Sequence, residues 1–270
     1  MFQFSEGASV TRINDTFRFE EPWVVEDDQE CIFYHVMDLP GFGTTDGPWD
    51  LRGKFDDYIG QVDVAGRSIL DIGAASGFLT FEAEKRGATV VSFDISDGKY
   101  QTLVPFVNKE YSRDHASWAR KQTEYFAKWK RGYWLAHRLL GSSARAFYGN
   151  IHEIPQAVGV FDIAFMGSVL EHLNDPISAL ASTSRVVEST LVITTDMIDT
   201  GETIARFEPR AGNSDQDYTW WTYSLGTYRE VLGILGFEVA RVTKAEFRFT
   251  HTDIMAERYS IVAERVVPLK

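Results

Sequence analysis

The sequence predicts an α/β fold: a doubly wound, mostly parallel sheet of seven strands that ends in an antiparallel hairpin. Three observations carry this. Short buried-strand runs alternate with helical stretches from Ser68 onward, the pattern of a sheet with helices on both faces. The first run, SILDIG, passes into a glycine-framed turn, Gly73-Ala74-Ala75-Ser76-Gly77. Two long alternating segments, 237–249 and 255–266, close the chain.

The elements follow in order. Residues 1–60 are irregular and rich in aromatic, acidic and glycine positions, with the turn-dense stretch LPGFGTTDGP at 39–48. They read as an N-terminal extension, and 61–270 as the main domain. SILDIG is a buried strand. FLTFEAEKRG follows as a helix with Phe78, Leu79, Phe81 and Ala83 apolar, ended by Gly87. ATVVSFD (88–94) is a second strand that ends in an acid. Residues 98–143 show helical spacing and many aromatics, and form an insert before the third strand, ARAFYGN (144–150). VFDIAFMGS (160–168) is the fourth strand. Asn174 or Asp175 caps the next helix, with Pro176 in its first turn. STLVITTD (189–196) is the fifth strand, and a helix at about 224–235 closes at Gly236. The terminal hairpin completes the seven.

Composition bounds the function. Lys plus Arg number 27 and Asp plus Glu 39, a formal charge of −12, which opposes polyanionic partners because nonspecific nucleic-acid affinity is mostly phosphate neutralisation. The basic run within 120–138 reads as a solvated helix face. A lone Cys31 rules out an internal disulfide and fits a reducing compartment. No apolar run approaches the ~20 residues of a membrane span, and the start MFQFSEGASV has no signal-peptide pattern. The expectation is a cytoplasmic protein, monomer or homodimer, without a membrane partner.

The turn after the first strand sits where doubly wound sheets bind ligands. Its small residues let backbone amides approach a ligand at a helix N-terminus. A triphosphate loop needs Gly-Lys-Ser/Thr, yet Gly77 is followed by Phe78-Leu79. A dinucleotide turn needs G-x-G-x-x-G, yet Ala75 holds the middle position and no third glycine is correctly spaced. S-adenosylmethionine (SAM) carries a carboxylate and an amine instead of a pyrophosphate, so it demands less bare glycine. Asp71 is placed to engage the amine. Asp94, 17 residues past Gly77, is placed to accept from ribose hydroxyls.

On these residues the sequence resembles the class I SAM-dependent methyltransferases, whose fold is Rossmann-like. DIGAASG is similar to their first motif, with Ala75 replacing the usual middle glycine. SFDIS is similar to the acid-ending second strand, YGNIHEIP to the third and FDIAFMGSVLEHLNDP to the fourth. The resemblance spans about 68–266. It implies SAM as cofactor and S-adenosylhomocysteine as product, bound by Asp71, Gly73, Ala74, Ala75, Gly77, Asp94, Ile95, Gly167 and Ser168. It also implies Asn150 facing the adenine, with Ile151 stacked beside the ring. FYHVMDLPGFGTTDGPWDLRGKFDDYI resembles the leader of a bacterial small-molecule methyltransferase subgroup, and such a leader covers the cofactor. WWTYSLGTYREVLGILGFEV is similar to that subgroup and distantly to the enzymes that modify wobble uridine in tRNA.

Methyl transfer is an in-line displacement, so positioning supplies much of the rate, and a protonated acceptor also needs a base. His172, directly after the fourth strand, is the first candidate, and His35 in the leader the second. Leader residues Trp49, Arg52 and Tyr58 are spaced to reach over the cofactor, the arginine toward the SAM carboxylate. Tyr133 and Trp134 from the insert, with Trp220 and Trp221, are candidates for the acceptor pocket. Asp196 and Asp199 lack partners at metal-ligand spacing, so no metal is expected. The leading expectation is methyl transfer to a small-molecule acceptor in a biosynthetic pathway. The alternatives are tRNA wobble-uridine modification with SAM or carboxy-SAM, and a non-catalytic SAM-binding protein.

Overall fold

A computed structural model describes residues 17–26 and 28–269. All seven expected strands form: β1 (Ser68–Ile72), β2 (Thr89–Ile95), β3 (Arg145–Gly149), β4 (Phe161–Gly167), β5 (Val187–Thr195), β6 (Phe237–Phe249) and β7 (Ile254–Arg265). The sheet has eight strands, because the leader adds a two-residue edge strand, Trp49–Asp50, antiparallel to β6. That pairing joins segments nearly 200 residues apart, which local hydrophobic patterning does not register. From this edge the order is β6, β7, β5, β4, β1, β2, β3. The five strands β1 to β5 are parallel, and the hairpin is antiparallel.

Alternation along each strand builds two cores. In β1, Leu70 and Ile72 face one hydrophobic cluster, and Ile69 faces the other. Helices α1 (Phe78–Lys85) and α2 (His115–Leu140) cover the second face. Helices α3 (Pro176–Ser184) and α4 (Leu225–Ile234) cover the first. Asp175 caps α3, its carboxylate accepting the Ser178 amide at 3.0 Å, with Pro176 in the first turn. At the free edge of β3, the Glu20 amide donates to Ala146 O, and Phe17 and Phe19 pack on Phe147.

The stretch 98–143 is helical only in part. A 3₁₀ turn, Gly98–Tyr100, leads into an irregular segment and a short helix, Glu110–Arg113, before α2 begins at the Asp114 cap. Helix α2 is then the crossover from β2 to β3, closed by Gly141 in the left-handed conformation. Its C-terminal half lies on the sheet. Its N-terminal half overhangs, where Trp118 and Ala119 meet Tyr111. No described helix is long and apolar enough to cross a membrane.

Candidate active site

Strand order reverses between β1 and β4, so the crevice lies beyond their carboxyl ends. The turn 73–77 rims it. The Gly73 and Ala74 amides donate to Phe93 O, which ties the turn to β2. Gly73 has φ +76°, and a Cβ there would come within 2.5 Å of the Val169 side chain. Gly77 has φ +91°, and its Cβ would strike the Phe81 ring at 2.4 Å. Two non-glycine residues beside the crevice, Ala75 (φ +49°) and Ser168 (φ +50°), are also left-handed. Such conformations cost about 1–3 kcal/mol each and cluster at functional sites. The buried Ser76 hydroxyl accepts the amides of Tyr34 and His35 at 3.0 and 3.2 Å, docking the leader onto the turn.

Asp94 ends β2 at the wall of the crevice. One carboxylate oxygen accepts the Ala75 amide at 2.7 Å and the other the Ile95 amide at 2.6 Å. Burial pushes this carboxyl up, and the two amides oppose it. Asp71 lies one layer deeper. Its Oδ2 accepts the Thr80 hydroxyl at 2.7 Å, and its Oδ1 is buried without a partner among the described residues. Burial raises the Asp71 carboxyl to about 7, against the lowering effect of Thr80.

Two voids share these walls. A cavity of about 360 Å³ is lined by Gly73, Ala75, Asp94, Ile95, Ile151 and His172, among others. Its outer side is aromatic, with Tyr34, Tyr100, Phe126, Trp129 and Tyr218. Among the described residues, Asp94 is the sole Asp or Glu on its wall, and no Lys or Arg lines it. A side chamber of about 30 Å³ is lined by His35, Trp49, Tyr58, Asp71 and Arg258, among others. Tyr34, Gly73, Gly167 and Ser168 line both.

His172 donates from Nδ1 to the Tyr218 carbonyl oxygen at 2.8 Å. A carbonyl only accepts, so Nδ1 carries a proton, and in the neutral ring Nε2 is the nitrogen left with a lone pair. His172 lines the large cavity.

A family model described as a methyltransferase domain matches residues 51–239. The chain belongs to this family, the class I SAM-dependent methyltransferases. No curated protein sequence matches it. Among solved structures, it is similar to the 1,6-didemethyltoxoflavin-N1-methyltransferase of Burkholderia thailandensis, solved with 1,6-didemethyltoxoflavin and S-adenosylhomocysteine. The identity is 15%, the match covers 80% of this chain and 78% of that one, and the TM-score is 0.50. It also matches the magnesium protoporphyrin IX methyltransferase of Synechocystis PCC 6803, with S-adenosylhomocysteine bound, at 14% identity and TM-score 0.49. That match covers 80% of this chain and 81% of that one. At 15% identity, the likeness to the Burkholderia structure is one of fold.

Within this methyltransferase several candidates stand elsewhere than the sequence suggests. Arg52 does not reach the crevice. Its guanidinium is held at the surface by Asp50 (2.7 Å) and Asp38 (2.9 Å). Tyr133 and Trp134 are 2% exposed and belong to the core, because this half of α2 lies on the sheet. Tyr133 shares a hydrogen bond with Ser92 at 2.8 Å. Trp220 and Trp221 donate their indole N–H groups to Thr102 O and Asn174 O, bracing the rim without lining the cavity. Trp49 lines the side chamber, as does Tyr58, whose ring lies where a Cβ on Gly167 would clash.

His35 is buried in the side chamber, and burial pushes it down to about 3. At neutral pH it is uncharged and a feeble base. Asn150 spends its side-chain oxygen on the His152 amide at 3.1 Å. Gly77 stands behind the turn, away from both voids. Residues that sequence reasoning passed over are Tyr34, Gln101, Tyr218 and Arg258. Tyr34 adjoins His35 and Tyr218 precedes Trp220 by two, but nothing local distinguishes them from packing residues. Among the described residues, no cluster of three His, Cys, Asp or Glu is placed to hold a metal.

Proposed function

We propose that this enzyme transfers the methyl group of SAM to a small aromatic acceptor bound beside His172. The residues fit the cofactor on three counts. Each Asp94 oxygen has a lone pair beyond its backbone bond, as two ribose hydroxyls require. Ile95 and Ile151 offer apolar faces for the adenine. The unpartnered Asp71 Oδ1 adjoins the side chamber, where an ammonium would satisfy it. Bound SAM supplies an electrophilic methyl on a sulfonium.

The chain's own contribution is enclosure, orientation and a base. Tyr34 from the leader, Trp129 and Phe126 from α2, and Tyr218 from the hairpin at 205–223 line the cavity. Flat aromatic walls favour a planar acceptor. A wall bearing Asp94 without a basic residue disfavours an anionic one. His172 Nε2 takes the acceptor proton as the methyl is transferred.

The observation that carries this reading is the tautomer of His172, fixed by Tyr218 O on a cavity with aromatic walls. The test is release of S-adenosylhomocysteine from SAM with a panel of phenols, hydroxylated heteroaromatics and aromatic amines, alongside total tRNA. Turnover with a neutral aromatic hydroxyl or N–H compound is expected. Turnover with tRNA alone overturns the proposal.

A further inference from the structure

We propose that Arg258, on the terminal hairpin, is the residue that binds the carboxylate of the cofactor's amino-acid end. This rests on the placement of SAM in the cavity argued above.

The side chamber holds two side chains of opposite charge, Asp71 and Arg258. The arginine lies on β7, its guanidinium over the Trp49 ring at 5.0 Å from the centroid. One terminal N–H donates to Glu257 O at 2.7 Å. Its Nε is buried and, among the described residues, has no hydrogen-bond partner. Among the described residues, no carboxylate forms an ion pair with it. Buried donors are normally satisfied, and this one belongs to a half-buried guanidinium that has no counter-charge. The arrangement persists at little cost if a ligand carboxylate completes it.

The surroundings agree. Burial raises the hydroxyls of Tyr34 and Tyr58, and Glu171 adds to this. The Arg258 charge opposes it in both, so its field crosses the chamber. Gly73, Gly167 and Ser168 line both voids, so the chamber that holds Asp71 and Arg258 adjoins the large cavity along the turn. An α-amino acid end carries one ammonium and one carboxylate. The chamber offers one group for each. Arg52, the other leader-side arginine, is already saturated by two carboxylates.

The test is titration calorimetry with SAM and with decarboxylated SAM, which keeps the sulfonium and ammonium but lacks the carboxylate. The wild type should bind SAM at least tenfold more tightly. Arg258→Met should erase that preference while decarboxylated SAM binds as well as before or better. Arg258→Lys, which keeps charge and stem, should retain part of the preference and serves if the methionine variant fails to fold. A preference unchanged in either folded variant overturns the role of Arg258. Equal weakening of both ligands overturns it too, since that marks a merely structural arginine. A wild type that binds neither ligand overturns the cofactor placement itself, and this proposal with it.

Discussion

The carboxylate of Asp94 accepts the Ala75 amide at 2.7 Å, so the acid at the end of the second strand braces the turn that follows the first. Asp94→Ala removes this brace and the proposed ribose acceptor together. The expected result is a loss of at least tenfold in S-adenosylhomocysteine affinity by calorimetry. Asp94→Asn, which keeps one carbonyl acceptor, should lose less. Unchanged affinity in both would remove Asp94 from the cofactor site.

His172→Gln should leave SAM affinity within about twofold and lower turnover, by roughly 10²–10⁴ if proton removal limits the rate. Turnover equal to wild type would eliminate the histidine as base.

Asp71 ties stability to pH. Its carboxyl stands near 3.8 in the unfolded chain and about 7 in the fold. Between those values the folded chain holds a proton that the unfolded chain has released. Stability therefore declines as pH rises from about 4 to 7, by on the order of a few kcal/mol. Thermal unfolding of Asp71→Asn should lack this decline, and the variant should melt above wild type at pH 8. Since the ammonium needs the ionised carboxylate, SAM affinity in the wild type should weaken as pH falls below about 7.

Arg52→Ala should leave SAM affinity unchanged, because its partners are Asp38 and Asp50 at the surface. Calorimetry decides it, and a tenfold loss would restore the arginine to the site.

Trp134→Ala should behave in the opposite way. The indole is 2% exposed and packs against Tyr133 and His137, so its removal should cost about 3–5 kcal/mol of stability. Denaturant unfolding measures that loss. An effect on turnover alone, with stability intact, would place Trp134 in the acceptor pocket after all.

Periodicity and local chemistry determined much of this protein. The strand runs, the Asp175-Pro176 helix start and the glycine turn were all legible, because each depends on residues close in sequence. The tertiary structure alone decided which end of α2 lies on the sheet. An aromatic stripe at helical spacing marks a buried face, but Trp129 lines the cavity and Trp134 the core, one turn and a half apart. It alone decided which arginine meets the crevice. Arg258 reaches Trp49 only because the hairpin and the leader become neighbours on one sheet edge, a pairing that no local pattern encodes.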